Sequence, residues 1–222
     1  MVNQHLFLFG GGPPFTPNLC KTFVSCLNRT GPVALLYVPR PGSSWSDYAP
    51  IYTEMLTACG ATAFFHLPLS ASPTDDQLEQ LSTCAGIIIS GGETELYQQF
   101  IVQTPIGALI QDRFQHGVPV AGFSAGALLT SNECRIPAID QRAGKALVLE
   151  GLVLMDAVIS VHYDTWQEET NLLQAFEATQ SCFGYGLPEQ TGIYLQDGQL
   201  IQQEGPEAVV LKRKEEMTCR PS

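Results

Sequence analysis

Residues 118–127, Val-Pro-Val-Ala-Gly-Phe-Ser-Ala-Gly-Ala, join a short apolar run to a GxSxG pattern centred on Ser124. Such a run is typical of a buried strand, and small residues around a serine permit a sharp strand-to-helix turn. The turn lifts the serine above the sheet and leaves the amide N–H of Ala125 at a helix start. The segment therefore predicts a nucleophilic serine with one oxyanion donor; the alternative is a glycine-rich turn with a capping serine.

Short apolar runs that alternate with helical segments extend this pattern along the chain. Besides Val118–Phe123, the predicted strands are Leu6–Phe9, Val33–Val38, Ala61–Phe65, Gly86–Ser90 and Ala157–Val161. The predicted helices are Pro17–Asn28, Ser46–Cys59, Thr74–Cys84, Leu96–His116 and Thr165–Thr179. This alternation predicts an α/β fold with a doubly wound, mostly parallel sheet and helices on both faces.

The end of the chain has a different pattern. Gly192–Leu195, Leu200–Gln203 and Ala208–Leu211 are short apolar runs separated by Asp197-Gly198 and Gly205-Pro206, which predicts C-terminal antiparallel strands in a hairpin or meander. Because no repeat or long linker divides the sequence, residues 1–222 are predicted to form a single catalytic domain.

Composition limits the partners and the compartment. The 22 acidic and 11 basic residues give a formal charge of −11, which argues against nucleic acid or an anionic membrane as a partner. The seven cysteines are scattered without a CxxC pair, so neither a zinc site nor a disulfide framework is expected. With no apolar run long enough for a bilayer and no signal peptide pattern, we expect a cytoplasmic protein with reduced thiols, either a monomer or a homodimer.

A serine nucleophile requires a base, and two histidines follow predicted strands. Parallel sheets place their working sites at the carboxyl ends of the strands, which excludes His5 and His116 because they precede strands. His162 ends an apolar run and is favoured, while His66 remains an alternative.

The base in turn requires an orienting carboxylate. Glu189 follows a glycine-rich turn, and Asp164 is a rival close to His162. The order Ser124, His162, Glu189 differs from that of an α/β-hydrolase, in which the acid precedes the histidine. The glycines of residues 10–12 lack the GxGxxG spacing and are expected to form a turn near the rim of the site, with no metal or other cofactor required.

Four motifs in one order resemble the dipeptidase E group of serine peptidases, which includes aspartyl dipeptidases and cyanophycinases. They are Ile87–Thr94, Gly122–Ala127, Val161–Tyr163 and Gly186–Glu189, the last followed by an Asp197-Gly198-Gln199 turn, within a resemblance that covers residues 33–215. The resemblance implies a class I glutamine-amidotransferase-like fold and acyl-enzyme hydrolysis of short peptides without a cofactor.

The same resemblance assigns roles to individual residues. Ser124 would be the nucleophile, His162 the base and Glu189 its orienter. Gly91 or Gly92 would add a second oxyanion donor to that of Ala125, since glycine lets a backbone approach a substrate closely.

Two departures from the group concern the substrate. Glu93 replaces a common asparagine beside Thr94, and Asn171 stands where aspartyl dipeptidases carry an arginine after a Glu-Thr pair. Both changes remove positive character, so specificity for aspartate is not expected, and Glu93, Thr94 and Asn171 are the predicted substrate-binding residues. Glu93 would face the free α-ammonium or a basic side chain of the substrate; the alternative is a solvated loop residue. An esterase or amidase with the same triad, or a binding module without turnover, remain alternative functions.

Overall fold

A computed structural model describes residues 2–27, 30–40, 42, 44–141 and 143–213. The strands are β1 (His5–Phe9), β2 (Val33–Tyr37), β3 (Phe64–Pro68), β4 (Gly86–Ile89), β5 (Val120–Phe123), β6 (Glu133–Ile136), β7 (Leu147–Glu150), β8 (Ala157–Ser160), β9 (Phe183–Gly186), β10 (Gly192–Gln196), β11 (Gln199–Glu204) and β12 (Val209–Lys212). The α-helices are α1 (Pro17–Ser25), α2 (Trp45–Ala58), α3 (Asp75–Thr83), α4 (Thr94–Tyr97), α5 (Pro105–Gln115), α6 (Ala125–Leu128) and α7 (Glu169–Ala178).

Seven strands form the central sheet in the order β11-β10-β1-β5-β4-β2-β3. The five strands from β1 to β3 in this order run parallel, while β10 and β11 add an antiparallel edge. The predicted mostly parallel α/β sheet with antiparallel C-terminal strands is therefore confirmed. Two smaller sheets accompany it, with the orders β12-β9-β8 and β6-β7.

Side chains of the central strands alternate between two apolar layers, as the pleat of a strand requires. Phe7 and Phe9 of β1 pack with α1 and α2 on one face, whereas Leu6 and Leu8 pack with α3, α5 and α6 on the other. Helices thus cover both faces of the sheet, and its carboxyl edge is left for the loops that carry the site.

Several predicted elements differ from the observed ones. The single helix expected over Leu96–His116 is instead α4, a π-helix over Gln98–Val102 and α5. The break has a local cause, because Thr104 caps α5 with its side chain and Pro105 occupies the first turn. The third strand lies three residues later than predicted, at Phe64–Pro68 rather than Ala61–Phe65.

The run Ala157–Val161 forms a strand as predicted, but this strand, β8, belongs to the small sheet and pairs with β9. The hairpin β10–β11 is confirmed, and its turn residues Asp197 and Gly198 both have positive φ, at 51° and 76°. The third tail strand does not continue a meander, because β12 pairs with β9 in the other sheet.

The expectation of reduced thiols throughout is wrong at Cys182, which is disulfide-bonded. Free thiols are found at Cys20, Cys26, Cys59, Cys84 and Cys134, while Cys219 lies outside the described residues. No helix of the described ranges has the length and apolar character needed to cross a membrane.

Candidate active site

Ser124 lies at the turn between β5 and α6. Its backbone has φ 48° and ψ −109°, a conformation that L-residues rarely adopt and that the predicted sharp turn requires. Close packing enforces the turn, because a Cβ added to Gly122 would lie 2.5 Å from the carbonyl oxygen of Gly126. The preceding Phe123 is fully buried and stacks on Phe9 with ring centroids 4.3 Å apart, which fixes the end of the strand beneath the serine.

The imidazole of His162 faces the serine. Its Nε2 lies 2.9 Å from Oγ of Ser124, a hydrogen-bond distance. The residue follows β8 with φ 47°, and its amide N–H donates to the carbonyl of Gly10 at 2.8 Å. The indole of Trp166 packs against the imidazole with centroids 4.3 Å apart, so the ring is held from the backbone and from one face.

The carboxylate of Glu189 lies on the opposite side of the imidazole. Its Oε2 is 3.5 Å from Nδ1 of His162, an ion-pair distance rather than a short hydrogen bond. The same oxygen accepts a hydrogen bond from Oγ1 of Thr165 at 3.0 Å. The Glu189 side chain is 50% exposed, so water reaches the outer side of the carboxylate.

Asp164, the rival orienting acid, binds the backbone of Glu189 instead of the imidazole. Its Oδ1 accepts from the Glu189 amide at 3.1 Å and from the Thr165 hydroxyl at 3.3 Å. Partial burial acts to raise the pKa of Asp164, but hydrogen bonds from the amides of Glu189 and Thr165 outweigh it and hold that pKa below its ordinary value. Asp164 therefore positions the segment that carries Glu189.

The alternative base, His66, lies within β3, three strands from β5 in the sheet. At about 4.8 Å per strand this separation is about 14 Å. Its Nδ1 accepts from the indole N–H of Trp45 at 2.8 Å, so the ring serves to position an aromatic side chain.

The glycines after β4 lie against Ser124. A Cβ added to Gly91 would lie 3.4 Å from Cβ of Ser124, so the two backbones are in close contact. Within the described part of the chain, the amide N–H groups of Gly92 and Ala125 donate no hydrogen bond to the protein. Both amides are thus available to a ligand at the serine.

A cavity of about 400 Å³ opens over the serine and imidazole. It is lined by Gly12, Arg40, Tyr48, Gly91, Gly92, Glu93, Thr94, Glu95, Ser124, Asp140, Gln141, His162 and Trp166. Burial raises the pKa of Asp140, with Glu93 and Glu95 acting in the same direction, although the Thr94 hydroxyl donates to its Oδ2 at 2.9 Å and opposes the shift. Glu93, Glu95 and Asp140 thus form an acidic wall of the cavity, which Arg40 also lines.

The predicted contact of Asn171 with the substrate does not agree with this geometry. Asn171 lies on α7, where its side-chain amide donates to the buried carboxylate of Glu168 at 2.9 Å. It lines a different cavity of about 80 Å³, shared with Arg135 and Ser160.

Four side chains at the site were not singled out in the sequence. Arg40, Tyr97, Asp140 and Thr165 all contact groups of the site. Arg40 lies two residues after a predicted strand, a position from which it could have been predicted as a residue of the site. Asp140 lies in a segment whose apolar pattern does not reveal where it folds. Thr165 was predicted to begin a helix, but α7 begins at Glu169 and Thr165 lies in the turns before it.

Comparisons with known proteins bear on the family and the fold of the chain. A model of peptidase family S51 matches residues 6–203. The cyanophycinases of Synechococcus elongatus and Thermosynechococcus vestitus are each 25% identical over 132 residues, which cover 57% of this chain and 41% of each relative. The chain thus matches less than half the length of these curated relatives.

Two solved structures share the fold. The crystal structure of a peptidase from an acI-B1 Actinobacterium has a TM-score of 0.70 and 18% identity, covering 94% of this chain and 97% of the other. A putative peptidase E protein from Listeria monocytogenes EGD-e has a TM-score of 0.64 and 18% identity, covering 96% and 100%. The predicted family is confirmed: because the family model spans the chain from β1 into β11, the protein belongs to peptidase family S51.

Proposed function

We propose that the protein is a serine-type peptidase that hydrolyses short peptides through an acyl-enzyme. The observation that carries the proposal is the 2.9 Å contact between the Ser124 hydroxyl and the His162 imidazole, with Glu189 on the far ring nitrogen. Ser124 Oγ bonds to the scissile carbonyl carbon while its proton passes to Nε2 of His162. His162 then protonates the leaving amine, and water, activated by the same imidazole, releases the acyl group.

The amides of Gly92 and Ala125 are the oxyanion donors in this proposal. Among the residues that the structure describes, neither N–H group donates to a protein acceptor, and Ala125 directly follows Ser124 at the start of α6. Glu189 keeps the imidazole in the tautomer with its proton on Nδ1, so that Nε2 accepts from the serine.

The acidic wall bears on the choice of substrate. Glu93, Glu95 and Asp140 line one cavity with the serine, and carboxylates so placed attract the free α-ammonium or a basic side chain of a peptide. The same wall repels an aspartate side chain. We therefore propose short peptides with a free N-terminus and a neutral or basic first residue as the substrate class.

Labelling with a fluorophosphonate probe tests the triad. We expect the wild type to label and Ser124→Ala, His162→Ala and Glu189→Gln to lose or strongly slow labelling, while Ser82→Ala, a serine on α3, labels normally. A folded wild type that never labels favours a non-catalytic binding module and contradicts the proposal.

Profiling separates peptidase from esterase or amidase and tests the substrate class. We expect Arg- and Leu-initiated dipeptides to be cleaved faster than Asp-initiated ones. A strong preference for aspartate would overturn the proposed role of the acidic wall, and turnover of esters alone would favour an esterase.

A further inference from the structure

The peptide group between Gly91 and Gly92 is held from one side by two side chains. The Gly91 carbonyl oxygen accepts from the hydroxyl of Tyr97 at 3.1 Å and from Nη2 of Arg40 at 3.3 Å. A carbonyl with two donors, one of them cationic, is fixed in orientation and polarised.

The Tyr97 hydroxyl is itself fixed. The residue is 1% exposed, and its oxygen lies 3.2 Å from the donating amide of Val38 and 2.6 Å from Oγ of Ser90. The amide of Val38 donates to this oxygen, and either hydroxyl can donate across the contact with Ser90. When Ser90 donates, the single hydrogen of Tyr97 is directed at the carbonyl of Gly91, and each hydrogen-bonding position of the hydroxyl is used.

Both donors lie on the β2 side of this peptide, since the hydroxyl of Tyr97, although it comes from α4, contacts the amide of Val38. Val38 and Arg40 follow β2, whereas Ser124 follows β5, and β4 lies between these strands in the sheet. The C=O and N–H of a trans peptide point in opposite directions, so a Gly91 carbonyl aimed at the β2 side directs the Gly92 N–H toward the β5 side, where the nucleophile lies. The fully buried Tyr52 also lies beside the backbone of Gly91.

Two adjacent glycines need such restraint. Glycine adopts positive and negative φ with similar ease, so a peptide between two glycines can rotate at low cost. Rotation would direct the negative end of the Gly91 carbonyl toward the developing oxyanion and remove its donor.

We propose that Tyr97 and Arg40 are positioning residues that hold the Gly91–Gly92 peptide with its N–H directed at the oxyanion formed on the Ser124 adduct. Tyr97 is the stronger of the two, because its hydroxyl is buried and Arg40 is exposed to solvent. This role rests on the proposed acyl-enzyme function, since it has meaning only if Ser124 reacts.

Tyr97→Phe and Arg40→Met remove one donor each while keeping most of the apolar side chain. The readout is the second-order rate constant for phosphonylation of Ser124 by a fluorophosphonate, measured across pH with the full chain. We expect Tyr97→Phe to lower the limiting rate by about 10- to 100-fold, below the loss of about 100- to 1,000-fold typical of deleting a whole oxyanion donor. Arg40→Met should lower it by about 3- to 10-fold.

The pH midpoint of labelling should stay that of the wild type in both variants, because the imidazole and its carboxylate are untouched. Tyr194→Phe is the matched control. Tyr194 is a buried tyrosine on β10, and its hydroxyl forms hydrogen bonds with His5 and Gln196, far from Ser124. The substitution removes these bonds. The variant should label at the wild-type rate.

The outcomes separate the two proposals. Wild-type rates in Tyr97→Phe and Arg40→Met, with a reactive wild type, overturn the positioning role alone. A wild type that does not label overturns the proposed function and the positioning role with it. A shifted midpoint, or an equal loss in Tyr194→Phe, shows a general structural effect and also overturns the positioning role.

Discussion

The proposed nucleophile and the proposed base share an unusual backbone conformation. Ser124 and His162 both have positive φ, near 48° and 47°, and their amides donate to the carbonyls of consecutive residues, Phe9 and Gly10. Backbone strain of this kind persists only where surrounding contacts enforce it. The end of β1 is therefore the common anchor that sets the distance between hydroxyl and imidazole.

Substitution of Thr165 tests how the carboxylate of Glu189 is held in place. Thr165→Val removes the donor to Oε2 of Glu189, the oxygen that faces His162. We expect kcat to fall by about 10-fold, equivalent to ~1.4 kcal/mol, the usual size of one hydrogen bond to a charged group. Thr179→Val, whose hydroxyl donates to a carbonyl on α7, is the control. Equal kcat values for the two variants would show that Thr165 does not orient Glu189.

Asp140 gives a prediction about pH and stability. Its pKa is raised in the folded protein by burial and by neighbouring carboxylates, so the charged form destabilises the fold at neutral pH. Asp140→Asn should raise Tm at pH 7 by about 1–2 °C, and the gain should vanish below the ordinary aspartate pKa of about 3.9, where both side chains are neutral. Thermal unfolding at pH 7 and pH 3 measures this; an equal gain at both values would exclude a charge effect.

At the scale of elements, the loop between β1 and α1 limits where Glu189 can lie. A Cβ added to Gly11 would lie 2.3 Å from the carbonyl oxygen and 2.8 Å from Cγ of Glu189, whereas one added to Gly12 would meet nothing closer than 3.9 Å. The predicted glycine turn at the rim thus packs directly against the segment that carries the acid.

Gly11→Ala should displace that segment. We expect kcat to fall by at least about 10-fold, because small displacements of a catalytic group cost large factors in rate. Gly12→Ala should stay within about 3-fold of the wild type. Similar activity of Gly11→Ala and Gly12→Ala would contradict the proposed dependence on the position of Glu189.

The local sequence predicted correctly those strands whose pattern is set by burial alone. Continuous apolar runs identified β1, β2, β4 and β5. A parallel strand covered on both faces carries apolar side chains on both, so its residues form an uninterrupted apolar run. The strand β9, Phe-Gly-Tyr-Gly, was missed because glycines weaken strand propensity, and its pairing with β8 and β12 depends on distant segments. The hairpin β6–β7 was missed because only part of it is buried.

At the scale of the whole molecule, the site is assembled from both the central sheet and the small sheet. Ser124 follows β5 of the large sheet, whereas His162 and Glu189 follow β8 and β9 of the small one. The sequence predicted these three residues through strand ends and motif order. It could not predict which sheet each strand joins, because strand pairing is decided by tertiary contacts.

Tertiary contacts also decide which residues form the acidic wall of the cavity. Glu93 was predicted from its place beside the glycines, but Asp140 reaches the cavity through a segment after β6. Asn171 does not line the cavity over Ser124, because helix α7 directs its side chain to Glu168. A position next to a motif in the sequence therefore indicated that Glu93 lies near Ser124. It gave no such indication for Asp140 and Asn171, which lie on separate elements.

The central claim is that one hydroxyl, that of Ser124, is the reactive group of the protein. Peptide mapping by mass spectrometry after reaction of the wild type with a fluorophosphonate measures this directly. We expect a single phosphonylated peptide that contains Ser124 and disappears in His162→Ala. Modification of a different residue, or labelling of Ser124 that is equally fast without His162, would contradict it.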